Sequence, residues 1–202
     1  MERYNNQEIK ILRRLDSPKK VQDFLESLKV NFEKNGETCR SPRLVLKHKT
    51  AHCMEAALLA AAALEFHRFK PFLMDLRAEK KDLDHVVAVF KQFGCFGAIS
   101  KTNHAVLRYR EPIYKTLREL ALSYFHEYFT DQGEKTLREY SAPVNLNKFN
   151  KLRWRTSEED LWEIPEAVDK ARHFKILSLR QIKLLRKADP IEIQAGKLVE
   201  YK

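Results

Sequence analysis

Apolar residues recur at helical spacing in the first part of the chain, beginning behind Ser17-Pro18, a pair typical of a helix start. The apolar positions that follow at i, i+3, i+4, i+7 and i+11 are Val21, Phe24, Leu25, Leu28 and Phe32. This spacing predicts one amphipathic helix that ends at Asn35-Gly36. Residues 37–50 show little periodicity and are predicted to be irregular. Residues 51–66 (AHCMEAALLAAAALEF) are apolar on nearly every side, which predicts a helix buried at the centre of the fold.

The middle of the chain changes to the pattern of strands. Three segments rich in Val, Phe and Ile are predicted strands: residues 70–76, 85–92 and 95–100. Phe93-Gly94 is the predicted hairpin turn between the last two. Later segments are predicted as an amphipathic helix from Ile113 to Tyr128, a strand at 142–146 and a mainly helical stretch at 165–187. This order predicts an α+β fold with a mainly antiparallel sheet rather than an alternating α/β fold.

Length, charge and cysteine content narrow the class of protein. The 202 residues are long enough for one domain with its own core, so residues 1–202 are predicted to form a single domain. The net charge of +10 is spread along the chain, and its densest stretch, residues 180–187, carries apolar residues at helical spacing. We therefore expect a solvated helix face there and no nucleic-acid partner.

The cellular compartment is predicted from three features that the sequence does not show: a membrane-spanning run, a secretory leader and a CxxC pair. The longest apolar run, residues 56–64, is too short to span a membrane, and the polar start MERYNNQEIK shows no secretory leader. The three cysteines form no CxxC pair. A reduced, cytoplasmic protein without a membrane partner is the expectation.

The residues around Cys53 suggest chemistry. Cys53 stands at the beginning of the predicted buried helix, where unpaired backbone N–H groups favour a thiolate and can hold a developing oxyanion. His85 opens a strand behind Asp84 and is placed as a general base. The plain alternatives are a cysteine that fills space and a histidine with a structural hydrogen bond. No paired metal-ligand spacing and no phosphate-binding glycine loop occurs, so no metal or organic cofactor is predicted.

The order of four segments resembles the transglutaminase-like superfamily, in particular its bacterial members. These segments are residues 52–57 (HCMEAA), 70–76 (KPFLMDL), 84–89 (DHVVAV) and 96–102 (FGAISKT). The resemblance covers about residues 50–130 and implies a papain-like core at about 37–147 with helical extensions at both ends. It also implies that Cys53, at a helix start, meets His85 and an acidic residue on neighbouring strands.

The acidic residue is missing, because Ser100 stands where the resemblance leads us to expect Asp. A carboxylate at that position would fix the imidazole tautomer better than a hydroxyl does. With a two-residue turn, His85 faces Thr102 and Ser100 lies diagonally on the same face. A one-residue bulge would instead bring Asn103 opposite His85. Ser100, Thr102 and Asn103 are therefore all candidates for orienting His85.

The resemblance implies a cysteine-dependent hydrolase or acyl-transferase that acts on amide or peptide-like bonds. Cys53 would attack the carbonyl carbon and His85 would carry the proton. The substrate would be a peptide, a protein or a small amide. The missing acid at Ser100 favours an alternative: a catalytically degenerate domain of the same fold that binds a peptide or protein partner in its cleft.

Overall fold

The computed structural model describes residues 4–34 and 36–201; residues 1–3 of the polar start and Asn35 of the predicted helix end lie outside the described residues. The helices are α1 (Asn6–Arg14), α2 (Pro18–Glu26), α3 (Pro42–His48), α4 (Cys53–Phe66), α5 (Leu117–Leu122), α6 (Glu163–Asp169), α7 (Leu179–Lys183) and α8 (Pro190–Gly196). The strands are β1 (Lys29–Val30), β2 (Thr50–Ala51), β3 (Phe72–Ala78), β4 (His85–Gln92), β5 (Cys95–Ile99), β6 (Arg110–Tyr114), β7 (Leu137–Ser141), β8 (Val144–Asn145) and β9 (His173–Lys175).

One large antiparallel sheet organises the molecule. Its strand order is β6-β5-β4-β3-β7-β9, with β8 paired beside β7 on β3, and every neighbouring pair in it is antiparallel. The short strands β1 and β2 form a separate parallel pair. The predicted class, a mixed α+β fold with a mainly antiparallel sheet, is confirmed. Within residues 4–34 and 36–201, no helix is long and apolar enough to cross a membrane.

Helix α4 lies at the centre of the larger core, as its all-round apolar sequence predicts. Every residue from Met54 to Leu64 is buried. The helix contacts α1, α2 and α3 and packs on strands β3 and β4. A second core covers the opposite face of the sheet, where Leu120, Tyr124 and Tyr128 pack with Met74, Val87 and other strand residues. Cys53, as the first residue of α4, is thereby fixed by a helix that cannot shift without disturbing the main core.

The β4–β5 hairpin sets the register beside Cys53. Phe93 and Gly94 both have positive φ, 52° and 77°, as a two-residue type I′ turn requires. Gln92 pairs with Cys95, and the pairing continues without a bulge to Ala88 and Ile99. The predicted two-residue turn and the pairing of Gln92 with Cys95 are confirmed, whereas the predicted pairing of His85 with Thr102 lies beyond the end of the ladder. Ser100 follows Ile99 directly.

Two segments of the first fifty residues differ from the prediction. The predicted helix through Phe32 ends at Glu26, because Lys29 and Val30 leave it to pair with β2. The stretch predicted to be irregular contains α3, which begins as α2 does, with a serine N-cap followed by proline. Ser41 Oγ accepts a hydrogen bond from the N–H of Leu44.

The predicted helix beginning at Ile113 is also partly wrong. Ile113 lies exposed on strand β6, which pairs with β5, and α5 starts only after the N-cap Thr116. The mainly helical stretch predicted at 165–187 is interrupted by β9, which extends the sheet beside β7. The predicted solvated basic face is confirmed in part: α7 is a single short helix with no buried residue.

Candidate active site

Cys53 and His85 line the same cavity. The cavity measures about 560 Å³, and both the first turn of α4 and the start of β4 open into it. Cys53 is partly exposed, and His85 is 7% exposed. His52, the residue before the cysteine, is the N-cap of α4 and lines the cavity as well. The structure therefore brings together the two residues that the sequence analysis singled out for nucleophile and base.

Ser100 is the hydrogen-bond partner of His85. The distance from His85 Nε2 to Ser100 Oγ is 2.7 Å, and Ser100 Oγ lies 2.5 Å from the carbonyl oxygen of Leu107. A carbonyl can only accept, so the serine hydroxyl donates to Leu107 and must accept its other bond from His85. This fixes the proton of His85 on Nε2 and leaves Nδ1 as the nitrogen that can exchange a proton with Cys53.

The main chain of Ser100 is held as firmly as its side chain. The Gln22 amide on α2 donates to the carbonyl oxygen of Ser100 at 2.7 Å and accepts from the N–H of Ser100 at 3.0 Å. Gln22 and Ser100 are both buried, so these bonds do not compete with water. The residue that orients His85 is thus fixed in place by a helix outside the hairpin.

The surroundings of Cys53 favour the thiolate. Burial alone would raise the pKa of the thiol, but hydrogen bonds with His52 and His85, together with the charges of both rings, outweigh it. The result is a pKa lowered from its ordinary value of 9.0 to about 5. At neutral pH Cys53 is therefore an anion, the form that acts as a nucleophile.

His52 is the charged partner of that anion. Its Nε2 donates to the carbonyl oxygen of Thr38 at 2.9 Å and lies 3.6 Å from Glu55 Oε1. Burial opposes the charged ring, but the hydrogen bond with Cys53 and the charge of Glu55 raise the pKa of His52 from 6.5 to about 9. Sequence reasoning missed His52 as a partner of the nucleophile, although its position directly before Cys53 was the available signal.

Glu55 anchors this side of the cavity from a fully buried position. Its carboxylate accepts hydrogen bonds from Asn31 Nδ2 at 3.0 Å, Thr38 Oγ1 at 2.8 Å and the N–H groups of Arg40 and His52 at 3.1 and 3.2 Å. Sequence analysis gave it no place in the site, yet its position two residues after the cysteine puts it in the first turn of α4. Its charge is satisfied by four donors and lies beside the His52 ring.

Thr102 and Asn103, the other two candidates for orienting His85, line the same cavity but are engaged elsewhere. Thr102 Oγ1 accepts from the N–H of His104 at 3.1 Å. The Asn103 amide donates to the carbonyl oxygen of Tyr201 and accepts from its N–H, both at 2.9 Å. Of the three candidates, Ser100 is the one whose side chain is hydrogen-bonded to His85.

The remaining cysteines lie outside this arrangement. Cys39 is buried and donates to the carbonyl oxygen of Leu161 at 3.6 Å. Burial, and then the nearby charge of Glu55, raise its pKa to about 12, so it stays a thiol. Cys95 is buried at the start of β5. Among the described residues, no group of three or more His, Cys, Asp or Glu side chains is arranged to hold a metal ion.

No protein-family model matches the chain, and no curated protein matches it.

Proposed function

We propose that the protein is a cysteine-dependent hydrolase or acyl-transferase that acts on amide or peptide-like bonds. The observation that carries the proposal is the chain of contacts from Cys53 through His85 to Ser100 at the edge of a cavity. An activated thiol, an imidazole beside it and a third group that orients the imidazole are the three parts of nucleophilic catalysis by cysteine.

The reaction follows from the roles that these groups can take. The Cys53 sulfur attacks the carbonyl carbon, and the N–H groups of Cys53 and Met54 in the first turn of α4, which have no acceptor within the helix, face the negative charge that develops on oxygen. His85 holds the thiol's proton at Nδ1 and delivers it to the leaving nitrogen as the C–N bond breaks. A water or amine then attacks the thioester, gives a proton to His85 and releases Cys53.

His52 has a different role from His85 in this scheme. Because its pKa is raised to about 9, His52 keeps its proton at neutral pH and supplies a fixed positive charge beside the sulfur. His85, whose Nε2 proton is committed to Ser100, exchanges the proton at Nδ1. One ring thus stabilises the anion and the other carries the proton, so the two histidines are not interchangeable.

We further propose that the central region is a papain-like core of the transglutaminase type. The supporting features are the helix that begins at Cys53, its packing on β4, and the strand that begins with His85. The departure is Ser100, a neutral hydroxyl where the resemblance leads us to expect a carboxylate. Ser100 orients the ring but adds no negative charge to stabilise an imidazolium.

That departure favours one second candidate, a degenerate domain that uses the same cavity to bind a peptide or protein partner without turnover. The two candidates differ in the thiol. A catalytic site requires the thiolate, whereas a binding site keeps its affinity when Cys53 is replaced by Ala.

The experiment is a turnover assay with a panel of peptide amides and thioesters. Cys53→Ala is expected to abolish release of the amine or thiol product, and His85→Gln to reduce it strongly. Cys39→Ser, at a buried thiol outside the cavity, serves as the matched control and is expected to turn over as the wild type does. Undiminished turnover in Cys53→Ala would refute the mechanism.

A further inference from the structure

The rim of the cavity pairs with a distant segment of the same chain. Residues 103–105, in the loop after Ser100, form an antiparallel bridge with residues 198–200, with His104 opposite Val199. The N–H of Ala105 donates to the carbonyl oxygen of Leu198 at 3.1 Å, and the N–H of Glu200 donates to the carbonyl oxygen of Asn103 at 2.9 Å. This rim edge, residues 103–105, therefore bonds an extended main chain through one donor and one acceptor, as the edge strand of a sheet does.

Side chains at the rim also contact the next residues of this segment, Glu200 and Tyr201. Both hydrogen bonds of the Asn103 amide go to the main chain of Tyr201, one as donor and one as acceptor. Arg108 Nη2 lies 2.6 Å from Glu200 Oε1. The rim edge and Arg108 together thus bind an extended main chain and one acidic side chain.

The segment contributes almost nothing to the cores. Helix α8 has no buried residue, and neither does the stretch 197–201. Leu198 and Val199 are 65% and 40% exposed. A segment held by main-chain hydrogen bonds and an exposed ion pair, without buried apolar contacts, belongs to the parts of a protein that open most readily.

The path of this segment leads into the cavity that holds Cys53. Ile193 and Gly196 line that cavity. The carbonyl oxygen of Gly196 lies 2.9 Å from His104 Nδ1, a ring nitrogen of the rim edge. A chain that follows the course from residue 201 back to residue 193 therefore runs along the rim and then past the site.

We propose that the rim edge, together with Arg108, is a binding site for an extended acidic peptide, and that residues 198–201 of the chain occupy it as an internal ligand. The sequence Leu-Val-Glu-Tyr indicates the chemistry that fits: an extended main chain with a carboxylate for Arg108 and apolar neighbours. The inference that such a peptide is the substrate rests on the proposed function. The inference that the peptide binds the rim edge does not depend on it.

The test uses a fluorescein-labelled peptide, Lys-Leu-Val-Glu-Tyr, and two full-length variants compared with the wild type by fluorescence anisotropy. Glu200→Pro removes the N–H that bonds Asn103 and the carboxylate that pairs with Arg108. Val199→Pro is the matched control, because the N–H of Val199 takes part in neither of the two bridging hydrogen bonds.

Removing the internal ligand raises the fraction of chains with an open edge, so we expect the peptide to bind Glu200→Pro about tenfold more tightly than wild type or Val199→Pro. A peptide with Gln in place of Glu is expected to bind Glu200→Pro several-fold more weakly. Equal affinities in all three chains, or no saturable binding to a folded Glu200→Pro variant, would overturn the proposal.

Two further measurements keep this result separate from catalysis and from misfolding. Adding Cys53→Ala to each chain is expected to leave the peptide affinities unchanged, so failure of the proposed enzyme activity does not affect the binding result. In the wild type, the amide protons of Ala105 and Glu200 are expected to exchange with solvent at least about a hundredfold faster than those shared by β4 and β5. Equal protection would show that the segment does not leave the edge, which would also overturn the proposal.

Discussion

The serine that orients His85 allows a quantitative prediction. Ser100→Ala removes one oxygen that accepts from His85 Nε2 and donates to the carbonyl oxygen of Leu107. Ser100 is 2% exposed and His85 7%, so water cannot readily replace the lost partner of the ring. An unsatisfied buried donor costs about 1–3 kcal/mol, and the lost bond to the half-buried carbonyl costs about 1 kcal/mol. The free energy of unfolding should fall by about 2–4 kcal/mol.

The same substitution changes the chemistry of Cys53. His85 lowers the pKa of Cys53 through a hydrogen bond and through its charge, and without an acceptor for Nε2–H its ring is free to rotate away from the sulfur. Losing about 1.4 kcal/mol of this support raises the pKa of Cys53 by about one unit. We expect the pH profile of Cys53 alkylation by iodoacetamide to shift upward by about one pH unit, measured beside urea unfolding of the same variant.

Ser141→Ala is the matched control for this experiment. Ser141 is also fully buried and its Oγ accepts one hydrogen bond, from the N–H of Asp75 at 2.9 Å, but it is not among the residues that line the cavity. This control should lose stability and keep the wild-type pH profile of alkylation. If the profile of Ser100→Ala coincides with that of Ser141→Ala, the assignment of Ser100 as the orienting residue is wrong.

Three further predictions concern stability and charge. The lowered pKa of Cys53 contributes stability that is complete above the ordinary value of 9.0 and is lost as the pH falls through about 5. The raised pKa of His52 contributes stability that is complete below 6.5 and is lost as the pH rises through about 9. Wild type should therefore gain stability over Cys53→Ala between about pH 5 and 6.5 in urea unfolding, and a constant difference there would contradict the thiolate. Glu55→Gln turns an amide NH₂ toward the donors that bond the carboxylate, so the free energy of unfolding should fall by about 2–4 kcal/mol. The pH profile of Cys53 alkylation should also shift to higher pH, and an unshifted profile would mean that Glu55 does not support the charge of His52. Gly97→Ala places a Cβ 2.5 Å from Phe90 Cζ and 2.7 Å from the carbonyl oxygen of Arg110. Thermal unfolding should therefore show a loss of stability of about 1–3 kcal/mol. An unchanged melting temperature would mean that the neighbouring strands accommodate the methyl group without loss of stability.

The parts of the fold that could be predicted are those whose signal is local. The Ala-rich segment can only be a buried helix, and Phe93-Gly94 sets the hairpin register because a two-residue turn leaves no freedom. The same local signals were present but overlooked elsewhere. Ser41-Pro42 starts α3 as Ser17-Pro18 starts α2, and Thr116 with Glu119 marks the true start of α5. Strand β6 could not be predicted from local signals. The apolar spacing that begins at Ile113 is compatible with a helix, but the pairing of β6 with β5 is a tertiary contact that overrides it.

The candidate site divides in the same way. Cys53 and His85 could be predicted because a helix start and a strand start are visible in the sequence. Ser100 remained one of three candidates, since the contacts that select it come from Gln22 and Leu107, which lie outside the hairpin. The charge on His52 depends on Thr38 and Glu55, which the fold brings to it from two sides.

The pH dependence of Cys53 alkylation shows whether this thiol is a thiolate at neutral pH. Cys39 and Cys95 are changed to Ser so that one thiol remains, and the rate constant with iodoacetamide is measured from pH 4 to 10. We expect an apparent pKa of about 5 for Cys53. A rate that rises only near pH 9.0, the ordinary pKa of the thiol, would show that Cys53 is not activated.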